Sequence, residues 1–272
     1  MAKDGNNLVL SVAERSSLIS VSPEAKQFIR PYLGSKELIN AEQRFCLWLG
    51  DDEVADAAAI PGIRKRLDAV IDFRSKSEDR DASKFVDRPH RFVQRSYSHS
   101  SCIGIPGVSS IRRDYIPMGW FGPGTVLSYA AFAIYDAELS QLALLQASMH
   151  AAWVRMVGGR MKSDYRYSNT LCYNAFPFPA LDGKRSAALN DSALRILAAR
   201  ERWPDRSLAE LYDPDGMPAN LREAHRANDA LVDSLYRKKP FGSDADRMEV
   251  LLAMYRDLVA EAEAKKSKKG KG

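Results

Sequence analysis

Two stretches of this 272-residue chain concentrate side chains able to hold an anion: SSIRRDY (109–115) and WVRMVGGRMKSDYRYSN (153–169). Their cations alternate with hydroxyls and amides, the donor set that phosphate oxygens require. Arg and Asn can in addition hydrogen-bond base edges in pairs. Gly158 and Gly159 break the second stretch and let such side chains emerge from a scaffold. The same residues also suit a plain surface loop, in which Asp164 pairs with Arg166 or Lys162 while Tyr165 and Tyr167 fill the core. Residue types alone do not choose between the two readings.

The second stretch continues as SDYRYSNTLCYNAFPFP (163–179). Amino-methylating DNA enzymes use an Asn/Asp-Pro-Pro-Tyr/Phe turn, which brings a side-chain oxygen and a backbone carbonyl to the target amine and stacks an aromatic on the flipped base. Here Asn174 is followed by Ala175 and Phe176, and Pro177 and Pro179 come too late to fix that turn. FPFP reads instead as the aromatic-proline exit of a domain. GWFGPGT (119–125) and VGGRMKS (157–163) lack phosphate-loop glycine spacing, and Pro123 removes a backbone donor. No order of His90, His99, His150 and His225 with Ser, Cys or an acid marks a catalytic set. His150 lies in an apolar helix and reads as a satisfied core histidine. Glu210, Glu223 and Asp229 fit a solvated helix face.

The elements that must position these residues follow from composition and periodicity. Hydrophobic residues make up 45% and charged residues 28%, ordinary for a soluble protein with one large or two medium domains. No apolar run approaches the roughly 20 residues of a membrane span, and MAKDGNN lacks a signal peptide's apolar centre, so the cytoplasm is the expected location. Cys46, Cys102 and Cys172 are scattered between apolar neighbours, and neither they nor the histidines have metal-ligand spacing. They read as buried reduced thiols. The formal charge of +5 is matched by the five lysines of KKSKKGKG, which leaves a neutral body. Within that body, residues 84–185 carry twelve Lys/Arg, Arg95 among them, against six acids. A basic middle between acidic flanks fits an anionic partner.

Along the chain, NLVLSVAE predicts a short strand, and SPEAKQFIRPYLG a short helix capped by Ser22 and ended by Pro31. RFCLWLG (44–50) reads as a buried strand. Helical periodicity breaks at Pro61 and continues with Ile63, Leu67, Val70 and Ile71 on one apolar face. Residues 77–90 read as a loop. RFVQRSY, CIGIPGVSS, DYIPMGWF and TVLSYAAFAIYD carry strand signals, and Glu138 to Val157 reads as one buried helix stopped by Gly158. Beyond Pro179 only amphipathic helices follow. The fold class is therefore α+β, a mixed sheet with packed helices followed by a smaller all-helical domain, with the boundary near 181–184.

Taken together, RFCLWLG, VSSIRRDYIPMG, SMHAAWVRMVGGRMKSDYRYSNTLCYNAFPFP and LREAHRANDALVDSLYRK resemble the target-recognition and C-terminal helical portions of the MmeI-like DNA methyltransferase and restriction-modification family. The resemblance runs from DGNNLVLS to the helix near residue 260. Members of that family are longer, with an upstream adenine-N6 methyltransferase domain that uses S-adenosylmethionine, often preceded by a nuclease domain. The resemblance implies that this chain is the specificity end of such an enzyme, separated at MAKDGNN or encoded apart. It implies no catalytic residue, cofactor or metal in this chain, and no activity from it alone. Residues 1–181 become an α+β target-recognition domain, 182–264 a helical C-terminal domain, and 265–272 a disordered lysine-rich tail that adds salt-dependent affinity.

The implied partners are double-stranded DNA and the upstream methyltransferase domain, with no membrane. Arg112, Arg113, Asp164, Arg166 and Asn169 are then candidates for base readout, Asp164 for a cytosine amine and Arg166 for a guanine edge. Arg155, Arg160, Lys162, Ser163 and Ser168 are candidates for phosphates, which set register and not sequence. Positions 95–113 are expected to share the readout. The competing expectation is a protein-interaction module that docks to a catalytic subunit without touching DNA.

Overall fold

The computed structural model describes residues 3–94 and 97–269, with side chains to residue 265. The chain opens with β1 (Val9–Leu10) and α1 (Val12–Val21). A capping box starts α1: the Ser11 hydroxyl accepts from Glu14 N, and the Glu14 carboxylate accepts from Ser11 N at 2.8 Å. A 3₁₀ turn at Pro23–Phe28 leads into β2 (Ile29–Leu33). Two expectations fail here. Ser22 makes no side-chain cap, and Pro31 lies inside β2, where Tyr32 N supplies the ladder bond to Arg44 O at 2.8 Å. Proline needs no donor at that position, so the strand tolerates it.

Next come α2 (Ser35–Asn40), β3 (Phe45–Leu47), α3 (Val54–Ala59), α4 (Pro61–Ser75) and α5 (Arg80–Ser83). Pro61 divides α3 from α4, as its fixed φ and missing N–H require. The buried stripe of α4 is Ile63, Leu67, Val70 and Arg74, while Ile71 is 38% exposed and leaves the expected apolar face. Arg74 explains why 77–90 is more than a loop. It is fully buried and donates to the carbonyls of Lys3 (3.0 Å), Phe85 (3.0 Å), Arg88 (2.9 Å) and Arg91 (2.7 Å), which ties down the segment holding α5.

The middle of the chain contributes β4 (Cys102–Pro106), β5 (Val108–Ser109), β6 (Gly119–Phe121), β7 (Val126–Leu127) and β8 (Ala131–Tyr135). RFVQRSY forms no strand among its described residues, and its Arg95 and Ser96 lie outside them. Three sheets result: β1–β3–β2–β7, with antiparallel pairs except β2 with β7; β6–β4–β8; and the antiparallel β5–β10–β9. The last uses β9 (Gly159–Met161) and β10 (Asp164–Arg166).

Between β8 and β9, the expected single helix is two: α6 (Leu139–Leu145) and α7 (Ser148–Val157). Ala147 between them is extended, and the half-buried Asp229 carboxylate accepts from Ser148 N and Ser148 Oγ, each at 2.7 Å. A carboxylate at a helix start offsets the exposed N–H dipoles. Asp229 is thus a cap supplied from 81 residues away and not part of a solvated face. Burial raises its pKa.

After a π-helical turn at Asn169–Asn174 the chain is helical: α8 (Gly183–Glu201), α9 (Leu208–Leu211), α10 (Ala219–Tyr236) and α11 (Asp244–Lys269). The architecture is a mixed α+β region followed by a helical region after residue 181. α11 runs to Lys269, through the first part of the tail expected to be disordered, and residues 270–272 lie outside the described ones. Among the described residues no helix is long and apolar enough to cross a membrane. Cys46, Cys102 and Cys172 are free and buried.

Two compact units form. The first comprises 1–104 and 121–136, with a core of Leu8, Leu10, Phe28, Tyr32, Trp48, Ile63, Leu67 and Phe92. The second comprises 105–120 and 137–272, so it joins α8–α11 with 105–120 and 137–180, which the sequence groups with the N-terminal domain. Its core includes Tyr115, Ile196, Leu211, Tyr212 and Leu221. At roughly 1.5–3 kcal/mol per buried large aliphatic side chain, such clusters carry the favourable energy of each unit.

Candidate functional site

Every individual candidate for base or phosphate contact falls in the second unit, whereas of positions 95–113 only 105–113 do. β9 and β10 form a hairpin whose two-residue loop is Lys162-Ser163, with Asp164 opposite Met161 and Arg166 opposite Gly159. Lys162 takes φ 57°, a left-handed conformation unusual for a side chain with a Cβ. β10 then pairs with β5, Tyr165 opposite Ser109, so the two motif stretches meet in one small sheet.

Alternation along β10 sends Asp164 and Arg166 to one face and Tyr165 to the other. Arg166 is exposed, Asp164 is half-buried and accepts from Ile111 N at 3.4 Å. Neither Arg166 nor Lys162 pairs with Asp164, so the surface-loop reading with those ion pairs does not hold. Tyr165 does not fill the core either: it is half-buried with the Arg160 guanidinium 3.9 Å above its ring. Tyr167 is buried, its hydroxyl 3.1 Å from His150 Nε2. Burial pushes the His150 pKa down to about 3, which keeps the ring neutral as a core histidine should be. Among the described residues Arg160, Lys162 and Arg166 make no ion pair.

Beyond the hairpin, Ser168 caps the π-helical turn by accepting from Leu171 N at 3.3 Å, and its hydroxyl hydrogen stays available. Asn169 is exposed, with its Oδ1 accepting from Thr170 N at 2.9 Å. Trp153 Nε1 donates to Leu171 O at 3.0 Å, and Phe176 meets His150 edge-on at 4.7 Å. Tyr236 donates to Pro177 O at 3.1 Å. The FPFP stretch is scaffold.

From β5 the chain enters Ser110–Tyr115, one wall of a cleft of about 520 Å³. Arg112, Arg113, Arg155, Arg222 and Arg226 line it with Asp114 and Asp244. Arg112 is exposed and bonded to Asp215. Arg155 donates to Asp244 at 2.6 Å and to Asp114 O at 2.7 Å. Arg222 lies 3.8 Å from the Asp114 carboxylate. Arg113 is half-buried, burial lowers its pKa, and its Nε is buried without a partner among the described residues. The floor is rigid: Tyr115 stacks on His225 at 4.1 Å and donates to Asp229 at 2.7 Å. The structure therefore brings Arg112, Arg113 and Arg155 into one cleft and Arg160, Lys162, Ser163, Asp164 and Arg166 onto the adjoining hairpin. Ser168 and Asn169 follow it in chain order.

Sequence reasoning misses Arg222 and Arg226. Their signal was the four-residue spacing in LREAHR, which sets both on one helix face. It also misses Asp114 and Asp244, the carboxylates that already occupy the arginines.

Comparisons with known proteins fit this geometry. Residues 1–180 match the family described as MmeI, target recognition domain, and residues 181–263 match MmeI, C-terminal domain. DNA methyltransferase A of Bacillus subtilis (strain 168) is 40% identical over 258 residues, which is 95% of this chain and 29% of that protein. A solved structure of the Type IIL restriction-modification enzyme MmeI in complex with DNA superposes with a TM-score of 0.88 at 34% identity, covering 95% of this chain and 34% of the other. The chain thus spans about a third of the length of the relatives it matches. With both segments matched end to end, and with the arginine-rich sheet and cleft inside them, this chain belongs to the MmeI family as a target recognition domain followed by a C-terminal domain.

Proposed function

We propose that this chain recognises a short sequence in double-stranded DNA as the specificity portion of an adenine-N6 DNA methyltransferase of the restriction-modification type. S-adenosylmethionine and the methyl-transfer chemistry belong to a methyltransferase portion outside these residues. The observation that carries the reading is the convergence in one unit of a hairpin with unpaired cations and a cleft lined by five arginines. The relative solved with DNA supports it.

On this reading Asp164 and Arg166 present one acceptor and one bidentate donor side by side, fit for a cytosine amine and a guanine edge. Asn169 keeps its amide hydrogens for a base edge. Arg113, with a donor lacking a partner, is the stronger of the two readers on the cleft wall, and Arg112 must first leave Asp215. Arg160, Lys162, Ser163, Ser168 and Arg155 address phosphates, the first two as charges and the serines through their hydroxyl hydrogens.

The test maps N6-methyladenine across a genome with and without the gene carrying this chain. One short methylated motif should vanish on deletion and relax at a single position in an Arg166→Ala strain. An unchanged pattern would contradict the proposal. Docking to a methyltransferase portion that survives Arg112→Ala/Arg113→Ala, with duplex binding also intact, would favour the protein-interaction reading.

A further inference from the structure

We propose that α10 is a second DNA-contacting element, whose Arg222 and Arg226 join Arg155 around one backbone phosphate that displaces the carboxylates of Asp114 and Asp244. The inference rests on the DNA reading above and extends it to the helical region, which that reading leaves without a contact. Arg222 and Arg226 are one helical turn apart and both line the cleft. Arg226 is exposed and makes no ion pair among the described residues.

Of the five guanidiniums in the cleft, Arg112 pairs with Asp215, Arg155 with Asp244 and Arg222 with Asp114, and among the described residues Arg113 and Arg226 have no carboxylate partner. Arg113, whose Nε is buried without a partner among the described residues, adds its positive charge beside them. The existing ion pairs are weakly held. The Arg155–Asp244 side chains are 29% and 47% exposed and the Arg222–Asp114 side chains 33% and 59% exposed. Pairs so wet are weak, because water and salt compete for both partners. A phosphate offers the same arginines charge-assisted bonds from several oxygens of one group at once, so a single ligand replaces two exposed pairs and exchange goes toward DNA.

Nor does the exchange strand the displaced groups. Asp244 already sits 3.4 Å from Arg247, and Asp114 faces water. The carboxylates hold the guanidiniums extended before DNA arrives and repel anions that cannot compensate several arginines at once. The phosphate could arrive in DNA or as the free ion, and the experiment separates these.

Duplex binding by the whole chain is measured against salt for wild type, Arg226→Ala, Arg222→Ala/Arg226→Ala and Asp244→Asn. The double variant should bind every duplex more weakly by the same factor, with unchanged base preference and a salt slope shallower by about 2. Asp244→Asn should bind several-fold tighter. Arg222 also donates to Pro214 O at 3.0 Å, so Arg222→Lys/Arg226→Lys, which keeps both charges, should retain the slope if the alanine pair perturbs folding. Wild-type slope and affinity in both Arg226→Ala and the double variant would overturn the inference while leaving the DNA reading standing. Competition by millimolar inorganic phosphate equal to that by duplex would overturn it in favour of a free-ion site. A wild-type chain that binds no duplex would sink both.

Discussion

Two sets of arginines in the same chain behave oppositely, and the contrast is one of acceptor count. Arg200 is buried, donating to Met118 O at 2.8 Å, Gln146 Oε1 at 2.7 Å and Tyr212 Oη at 2.9 Å. Tyr212 Oη in turn lies 2.8 Å from His225 Nε2, and His225 Nδ1 lies 3.2 Å from Gln146 O. Arg74 is likewise enclosed by carbonyls. In the cleft and hairpin, Arg113, Arg160, Arg166 and Arg226 have few acceptors or none. A saturated guanidinium organises the fold, whereas an unsaturated one held at the surface of the hairpin or cleft is ready for a ligand. The lesson is that side-chain type says little about an arginine until its acceptors are counted.

The largest effect that sharpens the contrast is on the saturated side. Arg200→Met should destabilise the chain by about 3 kcal/mol or more, because several buried acceptors lose their donor at once. Urea unfolding at constant slope checks this, and a loss under about 1 kcal/mol would remove the distinction.

Next in size is the pH response of the same buried network. Burial, with Arg200 beside it, holds His225 down to about 3, and burial alone does the same to His150. The unfolded chain takes up protons near 6.5 that the folded chain refuses, so stability is present above that value and is lost as pH falls toward 3. Each ring contributes a slope of about 1.4 kcal/mol per pH unit in that window. Asp229, with its raised pKa, acts in the opposite direction. Unfolding free energy should still fall between pH 6.5 and 5.5, and a flat profile would show that the histidines are not held neutral.

On the unsaturated side the effects move from stability to binding. Arg166→Ala should leave stability within about 0.5 kcal/mol and cost about 1–3 kcal/mol on the correct site, seen as relaxed preference at one base pair in a competition assay. Lys162→Ala should be smallest, a uniform weakening with a salt slope shallower by about 1. A change of sequence preference in Lys162→Ala would reassign the hairpin tip from phosphate to base.

Much of this framework is legible in the chain itself. RFCLWLG supplies a strand at Phe45–Leu47, shorter than its apolar, β-compatible run to Gly50, and Pro61 divides α3 from α4. The cationic stretches at 109–115 and 153–169 announce the site by composition. What eludes local reading is whatever a distant residue decides. Glu138–Val157 is periodic enough for one helix, and only Asp229 arriving from α10 makes Ser148 a new start. RFVQRSY has strand propensity, but its described residues form no strand, since propensity alone does not supply a pairing partner. Likewise Arg200 and Arg226 look alike in sequence, because neighbouring residue types do not reveal which acceptors the fold brings near.

The most direct test of the account is fluorescence anisotropy of the whole chain on a labelled random-sequence duplex between roughly 50 and 200 mM salt. The unsaturated arginines predict measurable binding at the low end, with log K falling linearly against log salt. Absence of binding at the lowest salt, or binding indifferent to salt, would contradict it.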